Sequence, residues 1–189
     1  YPDSDPDKVA DAIVAGMNFS WCGQSCGSTS RAFLHEDLHD AVVEKLKKAA
    51  ERFKPGIPTD PATTMGALVS RQHFERVMGY IESGKAEGAR VVSGGHAVTD
   101  GPLAHGCFVA PTIFSEVTPQ MRVAREEIFG PVLVVRRWSD EKEMLNEVNG
   151  LDVGLTCSIW TRDLVTAHRT ASRVEAGFVW INEVGRHFL

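Results

Sequence analysis

Apolar positions recur along this chain with two periods, and the alternation between them sets the first expectation. Near the start, Val9, Ala12, Ile13 and Gly16 lie on one helical face, behind a proline at position 6 that suits a first helical turn. Residues 37–53 read as an amphipathic helix. Leu38, Ala41, Val42, Leu46, Ala49 and Phe53 form its apolar side, with Lys45, Lys47 and Lys48 off it as a solvated face. Pro55, Gly56, Pro58 and Pro61 predict a stiff surface loop. Phe74, Val77, Met78 and Ile81 then give a second helix, expected to end at Gly84.

Between and after these helices the pattern turns to short apolar runs. Arg31 to His35, Val91-Val92, Phe108 to Phe114 and Val132 to Val135 read as strands. Ser139 is placed to cap a helix running to Val148, with Gly150 just beyond it. Leu155 to Trp160 predicts a strand, Asp163 to Val174 a helix, and Phe178 to Ile181 a strand apolar enough to be buried on both faces. The expected class is α/β, a largely parallel sheet flanked by helices. Its last sixty or so residues predict one continuous β-α-β-α-β crossover sheet.

Composition narrows the function classes. The 189 residues carry 43% hydrophobic and 24% charged side chains, as in globular proteins of one domain. A net charge of −5 argues against a nucleic-acid surface. No apolar run reaches the ~20 residues that span a bilayer, so no membrane partner is expected. Cys22, Cys26, Cys107 and Cys157 do not form the dense framework of a secreted disulfide scaffold, which predicts a reduced, cytoplasmic setting. The chain opens at Tyr1 and stops soon after the last strand, and it reads as a fragment of a longer protein.

Two segments hold candidate chemistry. In Gly23-Gln24-Ser25-Cys26-Gly27-Ser28-Thr29-Ser30-Arg31, one cysteine stands among small residues between a helix and a strand. Small neighbours open the sulfur to a substrate and let amide N–H groups turn toward a developing oxyanion. The spacing alone equally admits a structural cysteine on a turn. About a hundred residues on, Arg125-Glu126-Glu127-Ile128-Phe129-Gly130-Pro131-Val132 places two carboxylates before a Gly-Pro entry into a strand. A carboxylate there suits a ribose diol, or equally a solvated acidic turn. Cys22 and Cys26 lack the spacing of a redox pair and have no second ligand pair, so no metal is expected. His35 and His39 read as a surface pair.

Together these segments resemble the aldehyde dehydrogenase superfamily. Gly23-Gln24-Ser25-Cys26, with Phe19 at the right distance before it, looks like the nucleophile signature. Glu126 to Val132 looks like the second signature. Weaker matches follow in order: Gly79-Tyr80-Ile81 with Glu87-Gly88-Ala89, Phe108-Val109 with Pro111-Thr112, and Gly154-Leu155 with Ala176 to Asn182. Ser28 stands where the family usually has Ala, Gly or Asn.

The resemblance implies a catalytic domain over residues 1–189, with residues 1–18 leading in from a cofactor domain. It implies oxidation of an aldehyde to an acid with NAD or NADP, through a thiohemiacetal and a thioester on Cys26. Glu127 and Phe129 would contact the cofactor, and Ser20, Ser25, Gly27 and His187 would line the substrate tunnel. Asn182 would brace the catalytic loop, and the longer parent would be a homo-oligomer. The general-base glutamate, the oxyanion asparagine and the glycine-rich dinucleotide segment would lie upstream of Tyr1, leaving the fragment inactive. A relative that passes the acyl group to coenzyme A, and a noncatalytic scaffold of the same fold, are the alternatives.

Overall fold

The computed structural model describes residues 1–185. It is an α/β structure in which strands β1 (Arg31–His35), β4 (Val132–Trp138), β3 (Thr112–Ser115) and β2 (Arg90–Ser93) form one sheet in that order. β1, β4 and β3 are parallel, and β2 joins antiparallel at the edge. The first four residues of β4 and all of β3 are buried, with Ile113, Phe114, Leu133 and Val135 wholly inaccessible. Each such side chain contributes roughly 1.5–3 kcal/mol by leaving water.

Helix α1 (Pro6–Gly16) starts at Asp5, whose carboxylate caps the Asp7 and Lys8 amides, and it packs on α2 (Glu36–Ala50). α2 follows β1 without a loop, and the His35 ring caps it by accepting from the Asp37 amide at 3.3 Å. Its buried stripe includes Leu38, Val42, Val43 and Leu46. His39 lies on this inner stripe, so it is not half of a surface pair. Its Nδ1 meets Asp40 at 2.8 Å, and its Nε2 is buried without a hydrogen bond among the described residues.

Helix α3 (Arg71–Ala86) runs past the expected stop at Gly84. Gly84 is an interior helical residue facing the ring of Phe114 and Val123, where a Cβ would be 3.1 Å from each. The stop comes at Gly88, whose φ of 97° closes the helix. The expected strand from Phe108 shortens to β3, because residues 108–110 pair with residues 96–98 only as an isolated bridge, Ala97 to Val109. Short helix α4 (Arg122–Arg125) precedes β4, and α5 (Glu141–Val148) is capped by Asp140 in place of Ser139.

The crossover sheet expected in the last third divides. β4 belongs to the large sheet, whereas β5 (Thr156–Ile159) and β6 (Phe178–Ile181) form a separate parallel pair bridged by α6 (Leu164–Ala171). β6 is not buried on both faces: Phe178 is 59% exposed. Among the described residues no helix is long and apolar enough to cross a membrane.

Candidate active site

Between α1 and β1 the chain makes a compact irregular loop. Asn18 and Cys22 take left-handed backbone conformations (φ 55° and 57°), followed by Gly23 at 63°. The Asn18 carbonyl accepts from the Trp21 and Gly23 amides, and its side-chain amide donates to the Ser28 hydroxyl at 3.3 Å. These bonds fold residues 18–28 back on themselves. Phe19 is fully buried against the Phe53 ring, while Ser20 is exposed on the single 3-10 turn above it.

Cys22 is tied down and Cys26 is not. Cys22 is buried, its thiol donates to the Gly66 carbonyl at 3.2 Å, and burial pushes its pKa up to about 11. Cys26 is exposed. Its backbone N–H has no hydrogen bond among the described residues, whereas the next amide, Gly27, donates to the Ser25 hydroxyl at 3.3 Å. Ser25 is partly buried and Gly27 buried. His187 lies outside the described residues.

The second loop, Glu126 to Gly130, alternates between anchored and free residues. Glu126 accepts from the Tyr80 hydroxyl at 2.8 Å and from Arg122 Nε at 2.9 Å. Those two donors, Arg122 foremost, hold its carboxyl below the usual carboxylate range. Ile128 is buried, and Gly130 backs onto Val77. Glu127 and Phe129 point outward between these anchors. The Glu127 carboxylate makes no hydrogen bond or ion pair among the described residues. Phe129 is 38% exposed and held at φ 56°, a conformation costing a bulky residue roughly 1–3 kcal/mol. The carbonyl of Phe129 meets His73 Nε2 at 2.7 Å, and the Glu127 carbonyl accepts from Arg76 at 3.4 Å, so α3 holds the strained turn.

The two loops touch. A Cβ placed on Gly23 would collide with the Gly130 carbonyl, so the cysteine loop lies directly on the carboxylate loop. Cys26, Ser28, Glu126, Glu127 and Ile128 share the wall of one groove of ≈ 580 Å³. Further along, the same groove is lined by strand residues and core side chains, with His35, Cys157 and Glu175 among them. Among the described residues no cluster of His, Cys, Asp or Glu is arranged to hold a metal.

Sequence reasoning missed the supports. Residues 66–69 return from the proline loop and clamp the cysteine loop, through Cys22 on Gly66 and through the Val69 amide donating to Gln24 Oε1 at 3.0 Å. Nothing in the sequence pattern singled out His73 or Arg76, and Tyr80 stood only in the family-like segment Gly79-Tyr80-Ile81. Asn182 does not brace the cysteine loop: its side-chain amide brackets the Thr161 peptide groups at 3.0 and 2.9 Å.

The small-residue cysteine loop is thus seated on a loop that turns a carboxylate and an aromatic ring outward. The chain belongs to the aldehyde dehydrogenase family, whose model matches residues 1–187. It is 53% identical to aldehyde dehydrogenase tropH of Talaromyces stipitatus, over 100% of this chain and 38% of that protein. An aldehyde dehydrogenase from Bacillus cereus in complex with NAD+ is 38% identical with a TM-score of 0.90, over 97% of this chain and 36% of that one. The gamma-glutamyl-gamma-aminobutyraldehyde dehydrogenase of Burkholderia cenocepacia is 40% identical, TM-score 0.90, over 98% and 37%. The chain thus spans little more than a third of these relatives.

Proposed function

We propose that residues 1–189 are the cysteine-bearing catalytic unit of an NAD(P)-dependent aldehyde dehydrogenase that oxidises an aldehyde to a carboxylic acid. The observation that carries this reading is the seating of the exposed Cys26 loop on the Glu127 loop at one groove mouth. The Cys26 thiolate attacks the aldehyde carbon, forming a C–S bond and an oxyanion. The unpaired Cys26 N–H is available to that oxygen, and one such donor contributes about 2.7–4 kcal/mol to the transition state. NAD(P)+, when bound, accepts the hydride that converts the thiohemiacetal to a thioester. Glu127 has the free acceptor oxygens to hold a ribose diol, and Phe129 offers a ring face beside it. Attack of water on the thioester then breaks the C–S bond and returns the thiol with the acid. Ser25 and Gly27 flank Cys26 in the chain, Ser20 is exposed on the same loop, and these three would shape the aldehyde's approach.

Four free cysteines fit a reducing, cytoplasmic compartment, and the longer parent is proposed to be a homo-oligomer. Among the described residues no glycine-rich turn stands at a helix N-terminus to hold a pyrophosphate. This chain alone is therefore expected to bind NAD(P)+ weakly and to oxidise no aldehyde. Calorimetric titration with each cofactor tests the first point, and micromolar binding of either would show the cofactor site to be misplaced. In the full-length enzyme, Cys26→Ala should abolish NAD(P)H formation and remove the acyl adduct seen by mass spectrometry after substrate addition. Persistence of either overturns the assignment.

A further inference from the structure

Glu127 and Phe129 face outward on a turn that does not hold its shape unaided. Phe129 has a φ of 56°, a backbone region disfavoured for a bulky side chain. Beyond it the turn is fixed: Gly130 lies between Gly23 and Val77, and the Pro131 carbonyl accepts from the Thr112 amide at 2.8 Å. At Phe129 itself the carbonyl meets one group among the described residues, His73 Nε2 at 2.7 Å. A carbonyl can only accept, so Nε2 is the nitrogen that carries the proton.

His73 has a firm base from which to hold that carbonyl. It lies in the first turn of α3, and its own amide donates to the capping Ser70 hydroxyl at 3.1 Å. Arg76, three residues on and so on the same helical face, donates to the Glu127 carbonyl at 3.4 Å, a longer and weaker contact. Just before the cap, the Val69 amide donates to Gln24 of the cysteine loop at 3.0 Å. One short stretch, Val69 to Arg76, therefore grips both loops of the site.

We propose that His73 is a positioning residue for the nicotinamide cofactor: its imidazole N–H holds the Phe129 carbonyl and keeps the turn left-handed before the cofactor arrives. Glu127 and Phe129 are then already turned toward the ribose and the ring they are to meet. The proposal rests on the reading of those two residues as cofactor contacts.

A turn freed from His73 relaxes toward ordinary backbone, and only a fraction of molecules then presents the cofactor site. Apparent affinity falls by that fraction, whereas saturating cofactor selects the competent form and restores the rate. His73 acts through a carbonyl and not on the reacting atoms, so its loss should separate KM from kcat.

The test uses the full-length enzyme. His73→Leu removes the donor at similar size. It should raise the Kd and KM for NAD(P)+ about five- to tenfold while kcat at saturating cofactor and the aldehyde KM stay within about twofold. His73→Gln carries an amide N–H that can reach the same carbonyl, and it should stay within about twofold of wild type throughout. His73→Asn ends short of the carbonyl and should behave as His73→Leu, which decides the matter if the leucine variant does not fold. Unchanged cofactor affinity in the asparagine variant would overturn the proposal, as would a glutamine variant equally impaired. A fall in kcat with KM unchanged would put His73 on the chemical step and overturn it too. Without cofactor, the amides of residues 128–130 should exchange at least about tenfold faster in His73→Asn than in wild type, and equal exchange would overturn the proposal. Glu127→Gln separates the two readings. If it leaves cofactor affinity unchanged, the cofactor reading falls and this one with it. If it weakens the cofactor and the His73 variants do not, this one alone falls.

Discussion

Cys22 and Cys26 lie four residues apart in chemically opposite surroundings. Burial raises Cys22 and also Cys157 to about 11, while Cys26 lies open at the groove mouth. Since the thiolate is the reactive form, iodoacetamide at neutral pH should label Cys26 well before Cys22, Cys107 or Cys157. Peptide mapping that finds any of those three modified first would remove Cys26 from its role. The neighbouring carboxylates Glu126 and Glu127 diverge in the same way. Glu126 is engaged with Arg122 and Tyr80, and Glu127 is open. In the full-length enzyme, Glu127→Gln should weaken cofactor binding about tenfold or more while leaving Tm near wild type, since a hydrogen bond to a charged group contributes about 1.5–3 kcal/mol. Unchanged cofactor affinity and hydride transfer would make Glu127 a surface residue. Glu126→Gln should instead lower Tm. Because its folded pKa is depressed, the Glu126 contribution is complete above the ordinary carboxylate value of about 4.3 and fades as pH falls through the lower folded value. The Tm gap between wild type and Glu126→Gln should therefore close on acidification, and a gap that widened would contradict the pairing.

At the scale of elements, the site is two loops pressed together and braced from behind by α3 and residues 66–69. Gly23 is the point of contact, left-handed at φ 63° and against the Gly130 carbonyl. Gly23→Ala meets both obstacles. The left-handed backbone costs a residue with a Cβ roughly 1–2 kcal/mol, and the clash adds to it by parting the loops. Urea denaturation should show at least that loss of stability, with Glu127 no longer in register with Cys26. A neutral Gly23→Ala would mean that the loops are not packed as described. Both loops were legible in the sequence because small residues around Cys26 and the Gly130-Pro131 turn are local signals. The tethering of Glu126 was not, since it is set by Arg122 and by Tyr80, a partner distant in sequence. Gly84 misled for a similar reason: local rules read a glycine after an apolar stripe as a helix end. Here its missing side chain admits Phe114 and Val123 against the helix.

Across the whole molecule the two sheets differ in how well they are covered. The β1-β4-β3-β2 sheet holds the inaccessible core, whereas the β5-β6 pair has Val153, Leu155, Leu164, Val165 and Phe178 exposed at or beside it. The apolar run from Phe178 to Ile181 correctly announced a strand. It misled about burial, because periodicity reports what a strand is made to face and not whether the described chain supplies it. A pair of strands with one short helix buries too little to be independently stable and depends on the contacts that Tyr1, Asp3 and Ser4 make with residues 160–163. The β5-β6 half should therefore open before the rest does. In native-state hydrogen exchange with increasing urea, the amides of Phe178 and Asn182, which close the β5-β6 ladder, should exchange through a sub-global opening. The Val134 amide, between β1 and β4, should exchange only with global unfolding. Asp3→Ala removes the acceptor shared by the Thr161 hydroxyl and the Arg162 and Asp163 amides, so it should lower the free energy of the first opening and leave the global one less affected. If all three amides merge at one free energy in the unmodified chain, the two sheets unfold as a single cooperative unit and the division described here has no energetic meaning.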